Sequence, residues 1–282
     1  MKKNLSKILA LALCLVLALG LMAGCSGSGD TPSGVKNDTP AAADSLFDRY
    51  GSIAFVGTES GRAGHMQGEL IGNYLAEHYG ETDLDGDGLI RYAMLTGAET
   101  SPESILRTRY SAEDADGILR AKGFGGLSYF DPSIPEGYQA DPNNAWSEDA
   151  ARAIMAENLN RFNDDSGRMI ELVICNNDAM AIGAIEALQA VGCNLGDPAK
   201  TIPVFGIDAT DLAKALIRDG MMTGTVRQDT KDMAQAIGVA ARELLRGRDP
   251  AQAVAAAAKL DPLFHPEDGH ANKLQLPYTP YP

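Results

Sequence analysis

Histidine, tryptophan, cysteine and basic residues are all scarce in this 282-residue chain, and each scarcity narrows what the chain can do. The four histidines, His65, His78, His265 and His270, are scattered. No serine sits in a Gly-x-Ser-x-Gly elbow, and no glycine-rich phosphate loop joins a strand to a helix. No catalytic set assembles from such parts, so the expectation is a chain without catalysis. Basic residues number 24 against 38 acidic ones, a net charge of -14. Three of those 24, Lys2, Lys3 and Lys7, belong to an N-terminal segment with no acids, which leaves 21 against 38, or -17, for the rest. That balance argues against nucleic acid or an anionic membrane face as partner. There is no internal repeat.

The one long apolar run, Ile8 to Met22, is too short to cross a bilayer comfortably. A basic start, a short apolar stretch and Ala23-Gly24-Cys25 read as a secretory signal over 1–24. The segment resembles a bacterial lipoprotein signal, although Met22 stands where leucine is commoner. That resemblance implies cleavage before Cys25 and lipid on its sulfur, holding the exported protein to the outer face of the cytoplasmic membrane. An ordinary signal with an incidental cysteine, giving a periplasmic protein, is the alternative. Gly27, Ser28, Gly29, Pro32, Ser33, Gly34 and Pro40 make 25–50 a flexible tether. Of the other cysteines, Cys14 leaves with the signal. Cys175 ends a predicted strand and Cys193 ends the helix after it, at opposite ends of a sheet, so no disulfide is expected.

The stretch IELVICNNDAMAIGAIEAL, Ile170 to Leu188, organises the remainder. An apolar β-branched run gives way to Asn177-Asp178 and then to Met180, Ile182, Ile185 and Leu188 at helical spacing. This is a strand, a polar turn and a helix. Strands are also expected at Ser52 to Thr58, Arg91 to Leu95, Leu127 to Phe130, Ile202 to Ile207 and Thr223 to Arg227. Helices are expected at Ala63 to Tyr79, behind Ser101-Pro102-Glu103, and at Glu148 to Phe162, Leu212 to Asp219 and Met233 to Arg246. The alternation predicts an α/β fold, a doubly wound parallel sheet with helices on both faces. The helix Met233 to Arg246 presents Met233, Ile237, Ala240, Leu244 and Leu245 on one side. The alanine-rich Ala251 to Ala258 and a strand-like Lys273 to Tyr278 follow, and these pieces are read as having no sheet of their own.

Ligands of open parallel sheets sit at the carboxyl ends of strands. Asn177 and Asp178 stand there, as ligand groups or as helix caps. Asp208 ends its strand under the same pair of readings. Trp146, the only tryptophan, is either a stacking plate for a sugar ring or a packing residue. Arg107 forks two ligand oxygens or is a surface charge. Asp83-Leu84-Asp85-Gly86-Asp87-Gly88-Leu89 matches the first seven positions of an EF-hand loop, but the twelfth position, where a bidentate acid belongs, is Met94. A complete EF-hand is excluded, leaving a calcium loop completed from elsewhere or a solvated acidic turn.

Four blocks, YGSIAFVGTESGRAGHMQGELIGNYL, DLDGDGLIRYAMLTG, IELVICNNDAMAIGAIEAL and IPVFGIDATDLAKALIRDGMMTGTV, resemble the galactose/glucose-binding proteins of ABC importers, type I periplasmic binding proteins. The resemblance covers nearly all of Ile53 to Gly247. It implies calcium held by Asp83, Asp85, Asp87, the Leu89 carbonyl and a distant Glu171, with Arg91 where that family has an amide ligand. A cation there weakens calcium or replaces it by pairing with the acids. The resemblance also implies a monosaccharide held by Trp146, Asn177, Asp208 and Arg107. Ser101 stands where the family has histidine, Glu103 where it has aspartate and Gln228 where it has asparagine, so the preferred sugar need not be galactose or glucose.

Against the family, about a hundred residues of the first lobe are expected to be missing. The expected division is a sugar-binding lobe at 51–229 and a remnant of the other lobe with a tail at 230–282. The expected function is the sugar-binding lipoprotein of an ABC importer, with a monosaccharide and an ABC permease as partners and no catalysis. The alternative is a lipid-anchored interaction protein that needs a separate first-lobe polypeptide or docks on the permease without binding sugar alone.

Overall fold

A computed structural model describes residues 52–163 and 169–281. The expected signal, lipidation at Cys25 and tether therefore lie outside the described residues. The described residues begin with β1 (Phe55–Thr58), α1 (Ser60–Glu77), α2 (Tyr79–Thr82), β2 (Ile90–Thr96) and α3 (Pro102–Ala121). They continue with β3 (Leu127–Tyr129), β4 (Gln139–Ala140), α4 (Glu148–Arg161), β5 (Leu172–Cys175) and α5 (Asp178–Ala190). Then come β6 (Val204–Asp208), α6 (Asp211–Arg218), β7 (Gly224–Gln228), α7 (Thr230–Leu245) and α8 (Pro250–Ala257). The strands β8 (His265–Glu267), β9 (His270–Leu276) and β10 (Tyr278–Tyr281) come last. No helix among the described residues is long and apolar enough to cross a membrane.

The larger of two compact units comprises 59–229 with 278–281. Its sheet runs β10-β7-β6-β5-β2-β3, with β4 also paired to β2. Every pairing is parallel except that of β10 with β7. Because side chains alternate along a strand, a strand buried on both faces reads as a continuous apolar run, as β5 does. Leu172 and Ile174 join Ile71 and Leu75 of α1 and Ala115 and Leu119 of α3 in one core. Val173 and Cys175 join Met155 of α4, Ala181 and Ile185 of α5 and Ala213 of α6 in the other. The doubly wound α/β reading holds, with one antiparallel edge strand added. Among the described residues Cys175 and Cys193 form no disulfide, and burial pushes the Cys175 thiol up.

Helix α3 carries three of the candidate ligand positions at or near its start, and it is set by close packing on α1. A Cβ at Gly68 of α1 would stand 2.7 Å from the Tyr110 carbonyl oxygen, so the two backbones approach as near as glycine permits. Gln67 beside it donates from Nε2 to the carbonyls of Cys175 and Gly206, both at 3.0 Å, and accepts from the Ser111 hydroxyl at 2.5 Å. One buried amide thus ties the carboxyl end of β5 and the middle of β6 to both helices.

The smaller unit comprises 52–58 with 230–277. Contrary to the sequence reading, it has a sheet of its own: β1 pairs parallel with β9 from Phe55↔Lys273 to Thr58↔Leu276, and β8 pairs antiparallel with β9. The helices α7 and α8 cover it through Ala236, Ala240, Ala253, Val254, Ala257, Leu274 and Leu276. The stripe on α7 is also phased differently from the expected one. Ala236 and Ala240 are buried and Met233, Val239 and Leu244 half-buried against them, while Ile237 and Leu245 are exposed. The units interleave in sequence, so β1 falls with the second stretch and β10 with the first, rather than dividing at residue 229.

Candidate functional site

Asn177 is the N-cap of α5, and its Oδ1 accepts from the Met180 amide at 2.9 Å. Its Nδ2 donates to the Trp146 carbonyl at 3.2 Å, so capping and site-building are done by one side chain. Asp178 points the other way. Its carboxylate accepts from the Thr210 amide at 2.7 Å and the Thr225 hydroxyl at 2.6 Å, while burial pushes its pKa up. Those bonds hold the turn that ends β6, where Asp208 and Ala209 both have positive φ, 132° and 55°. Left-handed backbone at two successive non-glycine residues is costly and persists only where surroundings enforce it.

Trp146 also has positive φ, 55°, in a loop fixed by Asp141, whose carboxylate accepts from the Ser147 amide at 2.9 Å and hydroxyl at 2.8 Å. The half-buried indole lies on Gly97 at the end of β2, where an added Cβ would sit 2.0 Å from ring atom Cδ2. The Arg107 guanidinium carbon is 5.6 Å from the indole centroid. Arg107 is only 5% exposed, which removes the surface-charge reading. It donates from Nη1 to the Asn176 carbonyl at 2.9 Å and from Nη2 to the Tyr278 hydroxyl at 3.3 Å, and its Nε is buried without a partner.

Asp208, half-buried, carries no hydrogen bond on its carboxylate among the described residues. Burial pushes its pKa up to about 7; the Arg107 charge opposes the rise and the Asp178 charge adds to it. Ser101 donates to Glu103 Oε2 at 3.0 Å on the first turn of α3, one turn before Arg107. Gln228 ends β7, paired in the ladder with Tyr278. The structure thus gathers Arg107, Trp146, Asn177 and Asp208 closely, with Ser101, Glu103 and Gln228 on the elements that carry them. Sequence reasoning missed Asn176. Its Oδ1 accepts from Thr96 Oγ1 at 3.0 Å and the Gly97 amide at 3.3 Å, and its Nδ2 donates to Thr108 Oγ1 at 3.0 Å.

The raised Asp208 value has a testable sign. A folded-state pKa of about 7 exceeds the ordinary 3.8, so the folded state holds this proton more tightly than the unfolded chain does. The resulting stability is complete below about pH 4 and is lost as pH rises through about 7. In thermal melts, Asp208→Asn is expected to gain on the wild type as pH goes from 5 to 8. Parallel curves for the two proteins over that interval would contradict the assignment.

The acidic loop before β2 brings carboxylates of Asp83, Asp85 and Glu171 within 4.8 Å of one another. Arg91 Nη1 lies 2.5 Å from Asp85 Oδ2, and its Nη2 pairs with Asp87. The hydrogen bond from Arg91 holds Asp87 below the usual carboxylate range. Glu171 accepts from the amides of Leu84 at 2.6 Å and Asp85 at 3.4 Å on Oε1, and from that of Arg91 at 2.7 Å on Oε2. Burial pushes Glu171 up despite these amides. Asp83 Oδ1 is the one carboxylate oxygen of this set that is buried without a partner. Calcium takes six to eight oxygens. A donor set so largely engaged by amides and a guanidinium does not fit it as arranged.

Comparison with known proteins identifies the scaffold. Residues 41–249 match the family model described as periplasmic binding protein domain. The D-galactose/methyl-galactoside binding periplasmic protein MglB of Haemophilus influenzae is 30% identical over 244 residues, covering 86% of this chain. The chain spans 65% of that relative's length. The ribose import binding protein RbsB of Bacillus subtilis is 33% identical over 92 residues, 33% of this chain and 28% of its own. Among solved structures, a periplasmic solute-binding protein of an ABC transporter from Actinobacillus succinogenes, with bound D-allose, aligns at TM-score 0.54 and 18% identity. That alignment covers 88% of this chain and 67% of the other. A solute-binding protein from Bacillus halodurans with bound myo-inositol gives 0.52 and 24%, covering 84% and 62%. By name each of these relatives is a binding protein. On the family match over 41–249, the chain belongs to the periplasmic binding protein domain family.

Proposed function

We propose that the larger unit binds a monosaccharide, and that the protein serves as the sugar-binding component of an ABC importer. The observation that carries this reading is the unfinished polar pair beside the indole. Arg107, almost fully buried, keeps an unpartnered Nε, and Asp208 keeps a carboxylate without hydrogen bonds among the described residues. An unpaired buried polar group costs about 1–3 kcal/mol, which a ligand that supplies its partner returns as affinity. A pyranose matches the three groups together: hydroxyls that accept from the guanidinium and donate to the carboxylate, and an apolar C–H face for the half-buried Trp146. The names of the relatives, which include galactose and ribose binders, support the same ligand class.

The single wall that these residues form is expected to give a Kd of about 1 mM, a binding free energy of about -4 kcal/mol. Calorimetric titration of the full chain with hexoses, pentoses and cyclitols is the test. Saturable heat with one sugar, lost in Asp208→Ala, is the expected outcome. A second reading is favoured by the exposure of Ile237, Leu245, Leu260 and Leu263 on the smaller unit. In it the chain needs another polypeptide, a first-lobe protein or the permease, before sugar binds. Folded protein that gives no heat alone, and heat once that partner is added, would select the second reading over the first.

A further inference from the structure

The Asp83–Leu89 turn has the oxygen spacing of a cation loop, yet most of the carboxylate oxygens that would receive a divalent ion are already met from within the chain. Asp83 Oδ2 accepts from the Gly88 amide at 3.0 Å, Asp85 Oδ1 from the Asp87 amide at 3.2 Å and Asp87 Oδ1 from the Leu89 amide at 3.0 Å. The second oxygens of Asp85 and Asp87 go to the two ends of one guanidinium. Arg91 is well placed to be permanent. It lies in β2, and its main chain is bonded twice to Glu171, its amide to Oε2 and its carbonyl accepting from the Glu171 amide at 2.8 Å. The arginine side chain is only 16% exposed, which leaves it little room to swing aside. A planar fork with fixed charge suits bridging two carboxylates better than a lysine would.

We propose that the Arg91 guanidinium is the resident cation of the Asp83–Leu89 turn, bridging Asp85 and Asp87, so that the loop is held without calcium. A covalently tethered cation has no dissociation to suffer, so the loop stays closed at any free calcium concentration. The charge it supplies is one unit where calcium supplies two, and the buried Asp83 oxygen without a partner is the residue of that difference.

Thermal unfolding of the full chain in millimolar EDTA and in millimolar calcium chloride tests the assignment. The wild-type midpoint is expected to be the same in both. Arg91→Gln, which restores an amide oxygen at that position, is expected to melt lower than wild type in EDTA and to recover by about 5 °C in calcium. Asp85→Asn is expected to lose stability equally in the two buffers. A wild-type midpoint that falls in EDTA or rises with calcium would overturn the proposal. So would an Arg91→Gln protein as stable as wild type in EDTA. If Arg91→Gln does not fold in EDTA, its folding in calcium alone supports the proposal, and failure in both leaves the wild-type and Asp85→Asn melts to decide.

Discussion

Arg107→Met is expected to lower the stability of the larger unit by about 2–3 kcal/mol and to weaken sugar binding by about a hundredfold. The methionine fills part of the same volume but removes three things at once. The Asn176 carbonyl loses a donor at 2.9 Å, the Tyr278 hydroxyl loses one at 3.3 Å, and the indole loses the cation on its face. Asp208 loses the one charge that restrains its already raised pKa, so it is expected to take up a proton at neutral pH. That neutralisation leaves no buried carboxylate charge uncompensated and so limits the stability loss. It also turns the ligand's proposed acceptor into a donor. Chemical denaturation and a sugar titration on the same protein separate the two losses. A variant that binds normally while less stable would show that Arg107 supports the fold alone.

Gly97→Ala has the opposite profile, a small effect on the fold and a large one on the ligand. The new Cβ would fall 2.0 to 2.5 Å from three atoms of the Trp146 ring. The tryptophan backbone cannot follow, because Asn177 holds its carbonyl and Asp141 holds the next residue. The indole must rotate off the end of β2, which costs about 1–2 kcal/mol of packing and removes the stacking face. Affinity is expected to fall about a hundredfold, with the near-ultraviolet circular dichroism of the indole changed and the denaturation midpoint only slightly lowered. Gly80→Ala, with nothing within 4 Å of its new methyl, is the neutral control. Unchanged affinity in Gly97→Ala would place the ligand away from the indole.

The larger unit was legible in the sequence because its order is local. Each strand and the helix after it are neighbours along the chain, and a strand covered on both faces, like Leu172–Cys175, is apolar throughout. The smaller unit was not, because its central pairing joins Phe55 to Lys273, more than two hundred residues apart. One local signal was available there, the Asp268-Gly269 turn with Gly269 at φ 84°, which joins β8 to β9 as a hairpin. The site divides the same way. The candidates Asn177 and Asp208 were suggested by their places at strand ends. Asn176 and Gln67 were not, since their partners lie 80, 68, 108 and 139 residues away and no periodicity marks them. The function of Asp178 was likewise hidden, because a capping position predicts a bond to its own helix, and this carboxylate instead supports the Thr210 turn.

On the proposed function, a sugar lies against Trp146 between Arg107 and Asp208. Trp146 is the only tryptophan, so its emission reports that surface without interference. The measurement is the fluorescence of the full chain titrated with single monosaccharides to high millimolar concentration. A saturable change of intensity or wavelength with at least one sugar, abolished in Arg107→Met, is the expected result. A flat response to every sugar from folded protein, or a response that Arg107→Met leaves intact, would contradict it.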